Sequence, residues 1–213
     1  MDKSIITIKQ AHSIENVISK SRFIAYIKPV STENEAKAFI DEIKTKHKDA
    51  THNCSAYTVG PEMNIQKAND DGEPSGTAGI PMLEILKKQE IHNVCVVVTR
   101  YFGGIKLGAG GLIRAYSGAV RDVIYDMGRV ELREAIPVTV TLDYDQTGKF
   151  EYELASTTFL LREQFYTDKV SYQIDVVKNE YDTFIDFLNR ITSGNYDLKQ
   201  EDIKLLPFDI ETN

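Results

Sequence analysis

Between Asp70 and Arg121 the chain gathers carboxylates, glycines and cations in a pattern suited to holding an anion. Asp70-Asp71-Gly72-Glu73-Pro74-Ser75-Gly76-Thr77-Ala78-Gly79 comes first, followed by Arg100-Tyr101-Phe102-Gly103-Gly104 and then Lys106-Leu107-Gly108-Ala109-Gly110-Gly111. Glycine costs conformational entropy wherever it stands, so two such dense loops are more than connectors. Backbone N–H groups at a helix start, with cationic side chains beside them, form a natural anion site. From Ile91 to Arg121 there is no Asp or Glu, yet Arg100, Lys106, Arg114 and Arg121 all fall inside. The N–H groups of Gly108, Gly110 and Gly111 are read as a phosphate cradle, with Lys106 and Arg114 as counter-charges. The spacing is not that of a P-loop, which needs Gly-Lys-Ser/Thr after four variable residues. Arg114, Gly118, Arg121 and Tyr125 recur at intervals of four, three and four, so they share one helix face.

Arg100 and Tyr101 leave a buried strand and are read as surface residues able to pair with phosphate and stack on bases, with Phe102 in the core. Asp70, Asp71 and Glu73 form the loop opposite. Asp70 and Asp71 are weak candidates for a hard cation such as Mg²⁺ shared with a bound phosphate, since the twelve-residue spacing of a calcium loop is missing. No resident cofactor or metal is otherwise expected. Ser75 and Thr77 are read as cap or loop hydroxyls for the following helix. His52 and Cys54 share a strand face, which would allow a nucleophile pair. No third group is placed to orient the imidazole, so no catalytic residue is assigned, and His52 is expected as a polar contact at the cleft rim. The two loops are expected to meet on one side of the first domain, with at least two of Gly104, Gly108, Gly110 and Gly111 at φ > 0.

These residues need a scaffold. Val17–Val30 reads as two short strands around Ser19-Lys20-Ser21, and Thr32–His47 as a helix capped by Ser31 or Thr32. Asn53–Val59 alternates as a strand, Ile80–Lys88 is a helix with Pro81 in its first turn, and Val94–Thr99 is a β-branched central strand. Gly110–Met127 is a long helix carrying Leu112, Tyr116, Ala119, Val123 and Met127 on its apolar stripe. Beyond Gly128–Pro137 the pattern becomes strand Val138–Leu142, helix Thr147–Leu160, strands Glu163–Tyr166 and Val170–Val177, helix Tyr181–Ile191 and strand Ile203–Ile210. That βαββαβ order is the split-βαβ plan, giving an α/β (α+β) protein of two domains, 1–134 and 135–213.

Bulk properties narrow the function classes. The 213 residues carry a formal net charge of −7, but residues 1–135 hold 18 Lys/Arg against 17 Asp/Glu, while 136–213 hold 7 against 15. A protein that coats nucleic acid indiscriminately is excluded, whereas a local basic patch is not. No apolar run approaches the ~20 residues of a membrane span. The start Met1-Asp2-Lys3-Ser4 lacks a signal-peptide layout, and Cys54 and Cys95 make neither a disulfide framework nor a zinc pattern, so a reducing cytoplasm is expected.

These motifs, with Lys20-Ser21-Arg22-Phe23-Ile24 and His52-Asn53-Cys54-Ser55-Ala56-Tyr57, closely resemble the Impact family in its bacterial YigZ-like form, in order and across the whole chain. The resemblance implies a first domain like the second domain of small-subunit ribosomal protein five. It implies a ferredoxin-like second domain similar to domain five of elongation factor G. It also directs Arg22 toward the cleft. Eukaryotic relatives regulate the starvation-responsive kinase of initiation factor two by competing for its activator, using an additional RWD domain not found in this sequence. The expectation is a non-enzymatic binding or regulatory protein linked to translation, engaging RNA phosphates or a ribosome-associated partner through Arg22, His52, Arg100, Tyr101, Lys106, Gly108, Gly110, Gly111, Arg114 and Arg121. One alternative is an enzyme holding a nucleotide or phosphorylated metabolite in the same cleft. Another is a protein–protein competitor of a regulatory partner. The oligomeric state is not legible.

Overall fold

The computed structural model describes residues 5–210. They divide into two compact units, one running up to Glu131 and including the segment from Phe208 onward, the other Leu132–Pro207.

In the first unit β1 (Ile5–Thr7) precedes a five-stranded antiparallel sheet of β2 (His12–Ile18), β3 (Ser21–Pro29), β4 (His52–Val59), β5 (Ile65–Asn69) and β6 (Val94–Tyr101), in the order β2-β3-β6-β4-β5. Ser19 and Lys20, at φ 47° and 64°, make the two-residue turn that joins β2 to β3, as the right-handed twist of a hairpin demands. Helix α1 (Glu33–Lys46) covers one sheet face, and α2 (Gly79–Lys88) and α3 (Gly108–Met127) cover the other. Both faces of β6 are therefore dry. Val94, Val96 and Val98 pack under α2 and α3, while Cys95 and Val97 pack under α1, which is why the strand shows no polar alternation. Thr32 caps α1 by accepting from the Glu35 N–H at 3.2 Å. The exposed edge strand β5 was not anticipated, because Ile65–Asn69 has no apolar face to bury.

β7 (Val130–Leu142) leads into the second unit, followed by α4 (Tyr144–Leu154), β8 (Leu160–Tyr166), β9 (Val170–Val177), α5 (Tyr181–Thr192), β10 (Asp197–Gln200) and β11 (Lys204–Asp209). Strands run antiparallel in the order β8-β9-β7-β10, and β11 also pairs with β7. Several sequence assignments shift here, and the strand expected over Val138–Leu142 begins at Val130. The first helix spans Tyr144–Leu154 rather than Thr147–Leu160, because the Gln146 side chain accepts from the Asp143 N–H and starts it early. β8 begins at Leu160, the strand expected over Ile203–Ile210 is β11, and β10 precedes it where no strand was expected. Phe150, Phe184 and Phe187 centre this core between sheet and helices. Among the described residues, no helix is long and apolar enough to cross a membrane.

Candidate functional site

The loop Asp70–Gly79 is held by its own carboxylates. Asp70 accepts from the N–H groups of Gly76 (2.8 Å), Ala78 (3.1 Å) and Gly79 (2.8 Å), so it occupies the N-terminus of α2 where an external anion would sit. Burial opposes its ionisation, but these three donors outweigh it and hold the carboxyl below the ordinary aspartate range. Asp71, at φ 44°, accepts from the Asn53 N–H at 2.7 Å and pairs with Lys44 at 2.6 Å. Burial again opposes, and Lys44 with the Asn53 N–H brings its net shift downward. Asp70 and Asp71, the weak candidates for Mg²⁺, are both engaged by N–H donors that fold the loop. Among the described residues no group of three or more His, Cys, Asp or Glu could hold a metal ion. Thr77 is the expected loop hydroxyl, donating to the Pro74 carbonyl at 2.6 Å, and Ser75 is exposed.

Glu73 turns inward, and one of its oxygens accepts from Arg100 Nη1 and from the Tyr116 hydroxyl, each at 2.7 Å. Its other oxygen lies 3.7 Å from His52 Nε2, while His52 Nδ1 sits 2.8 Å from the Asp71 carbonyl and donates to it. Arg100 is only 5% exposed and lies between the rings of Phe23 and Phe102, 5.3 and 5.4 Å from their centroids. Arg100 is thus corrected from a surface phosphate contact to an interior cation paired with Glu73. The parity was legible: Arg100 shares its strand face with Val94, Val96 and Val98. Phe102 is corrected in the opposite sense. It lies past the end of β6, 46% exposed, and its N–H donates to the Thr51 hydroxyl at 3.0 Å.

Cys54 donates its thiol to the Asp70 carbonyl at 3.0 Å, and burial pushes its pKa up to about 12. A thiol so placed stays protonated near neutrality and is no nucleophile. Burial likewise raises the Tyr116 phenol, with the neighbouring Cys54 and Glu73 adding to it.

Arg22 and Tyr101 belong to the other sheet face, which corrects the expectation of one cleft. Arg22 makes a two-toothed pair with Glu15, at 2.9 Å for each bond, and lies 5.2 Å above the Tyr101 ring. The Tyr101 hydroxyl is 2.8 Å from His47 Nδ1, and His47 Nε2 is 2.6 Å from the Tyr26 hydroxyl, so one ring nitrogen donates and the other accepts. Burial, with Lys46 nearby, lowers the His47 pKa. This tyrosine–histidine–tyrosine chain was missed because His47 ends α1 while its partners lie on two strands.

Gly104 and Gly108 have φ of 86° and 70°, as expected for two of the four glycines, and α3 starts at Gly108 with no side-chain cap. Gly110 and Gly111 are helical. The Arg114 side chain reaches back over Gly110, where a Cβ would stand 3.6 Å from its Nη1. Lys106, Arg114 and Arg121 are exposed and form no ion pair with a described residue. The acids of α3 are drawn to β2 instead: Asp122 accepts from the Asn16 side-chain amide at 3.0 Å, and Asp126 lies 2.6 Å from His12 Nε2. The two loops meet where Glu73 reaches Arg100 and Tyr116, but Lys106 and Arg114 make no hydrogen bond to the acidic loop among the described residues. The expected ten-residue site therefore separates into a buried Glu73 network, the Arg22–Tyr101 face, and an exposed cationic strip on α3.

Residues 19–124 match the Impact N-terminal domain, and residues 140–195 match a domain of unknown function, DUF1949. The IMPACT family member YvyE of Bacillus subtilis is 49% identical over 203 residues, which are 95% of this chain and 94% of that protein. YigZ of Escherichia coli is 38% identical over 63% of this chain and 67% of its own length. Protein IMPACT of Mus musculus is 34% identical over 46% of this chain and 32% of its own length. A crystal structure of a hypothetical protein matches with a TM-score of 0.60 at 29% identity, covering 93% of this chain and 97% of that one. The chain belongs to the IMPACT family, as a YigZ-like member.

Proposed function

We propose that the first unit is a non-enzymatic binding module that engages the phosphates of single-stranded RNA along the exposed face of α3, in a role connected with translation. The observation that carries this reading is the segregation of charge on that helix. Arg114 and Arg121, with Lys106 just before the helix, stand exposed without described ion-pair partners, while Asp122 and Asp126 are engaged by β2 side chains. Gly118 supports it, since nothing lies within 4 Å of where its Cβ would be, leaving the strip open between the two arginines. Exposed Phe102, Ile105 and Ile113 offer apolar surface for bases beside the cations. A likeness of the first unit to the second domain of small-subunit ribosomal protein five, and a ferredoxin-like reading of the βαββαββ second unit, belong to the same proposal.

Three neutralised phosphates on a single strand give a slope of log affinity against log salt of about −2, and so about a twentyfold loss between about 50 and about 200 mM salt. Fluorescence anisotropy of a labelled single-stranded RNA measures it. The double variant Lys106→Gln/Arg114→Gln should reduce the slope to about −0.7. A slope near zero, or one unchanged in the double variant, overturns the proposal.

A further inference from the structure

A cavity of about 650 Å³ runs beside the last two turns of α3, lined by Arg121, Ile124, Tyr125 and Gly128 with Lys9 and Arg129 among its other walls, and all of its lining residues belong to the first unit. Positions 121, 124, 125 and 128 recur at helical spacing, so one stripe of α3 forms the wall. Gly128, at φ 79°, ends the helix without a side chain, and nothing lies within 4 Å of its missing Cβ, so the cavity stays open there.

The charges around this cavity are unevenly satisfied. Its two carboxylates are both engaged, Asp126 with His12 at 2.6 Å and Asp209 with Lys9 at 3.7 Å. Arg121 and Arg129 have no ion-pair partner among the described residues. Between them in sequence stands Tyr125, 84% exposed, an uncovered aromatic ring on the same wall. Two guanidinium groups present forks that match phosphate oxygens, and an uncovered ring presents a stacking face. The volume lies within the roughly 300–1,000 Å³ of small-molecule sites. An apolar ligand would leave both arginines desolvated and unpaired, and a bare phosphate would leave the ring unused.

We infer that this cavity binds a nucleoside phosphate, its base stacked on Tyr125 and its phosphate held by Arg121 and Arg129. The same chemistry is offered by a free nucleotide and by the phosphorylated end of an RNA strand. The inference goes beyond the strip on α3 and stands without it, sharing only Arg121.

The test is calorimetric titration of the intact chain with ADP, adenosine, inorganic pyrophosphate and a 5′-phosphorylated RNA trinucleotide. ADP or the trinucleotide should bind more tightly than adenosine and than pyrophosphate, and the tighter of those two probes identifies the source. Tyr125→Ala and Arg129→Gln should each weaken it about tenfold. Both residues are exposed, so an unchanged unfolding midpoint serves as the folding control. Lys106→Gln/Arg114→Gln should leave the ADP titration unaltered, since neither residue lines the cavity, so failure of the RNA-strip reading and failure of this one are separately visible. No binding of ADP or the trinucleotide at millimolar concentration, pyrophosphate binding as tightly as ADP, or equal affinity in Tyr125→Ala would overturn the inference.

Discussion

Replacing Glu73 by alanine should destabilise the first unit more than removing any exposed charge. The Glu73 and Arg100 side chains are 3% and 6% exposed, and their 2.7 Å bond is reinforced by the Tyr116 hydroxyl on the same oxygen. Without the carboxylate, a buried guanidinium remains unpaired, and its Nε already lacks a described hydrogen-bond partner. Breaking one side of such a pair costs about 3–5 kcal/mol. With a urea dependence of about 1–3 kcal/mol per molar, the midpoint should fall by about 2 M. Replacing both partners, as Glu73→Leu/Arg100→Met, removes the stranded charge, so it should cost far less than the sum of the single changes and show a coupling of about 2 kcal/mol or more. Near-ultraviolet circular dichroism follows the unfolding, and hydrogen exchange of the β6 amides localises it to the first unit. Arg100→Met should also leave the salt slope of RNA binding unchanged, since the guanidinium is buried and paired with Glu73. A loss below about 1 kcal/mol for Glu73→Ala, or additive single and double variants, would refute the buried-pair account.

Asp70→Asn should cost about 1–2 kcal/mol near neutral pH, because an amide oxygen replaces a carboxylate that accepts from three N–H groups at the start of α2. The wild-type carboxyl is held below its ordinary range, so its contribution is complete above the unfolded-state aspartate pKa and is lost as pH falls through the folded value. Urea midpoints measured from neutral to strongly acid pH should therefore converge for wild type and variant at the acid end, and a constant gap would contradict the assignment. Gly103→Ala would place a Cβ 2.0 Å from the Lys20 carbonyl carbon and oxygen, so the β2–β3 turn must move. Thermal unfolding should register a loss of about 1–3 kcal/mol, against little change for Gly118→Ala, where space is open. Equal midpoints for the two variants would show that the contact is not tight.

Periodicity along the chain was enough to determine most elements of the first unit. The β-branched run of β6, the Thr32 cap, Pro81 in the first turn of α2 and the apolar stripe of α3 are local signals, each carried by a few adjacent residues. The positive φ at Gly104 and Gly108 was local in the same way. What the tertiary structure decided is where each charge goes. Arg100 reads as a surface cation beside Tyr101 and Phe102, yet strand parity and helix cover send it into the interior, Phe102 out toward solvent, and Tyr101 to the opposite face. Asp70 and Asp71 are only weak cation candidates in the sequence, which does not show that the loop folds back on itself so that their oxygens meet N–H groups on β4 and α2. The cavity beside Arg121, Tyr125 and Arg129 is built from segments more than a hundred residues apart, with Lys9 near one end of the chain and Asp209 near the other. A side chain's type and spacing are properties of its neighbours in sequence. Its burial and its ion-pair partner depend on contacts that exist only once the chain has folded.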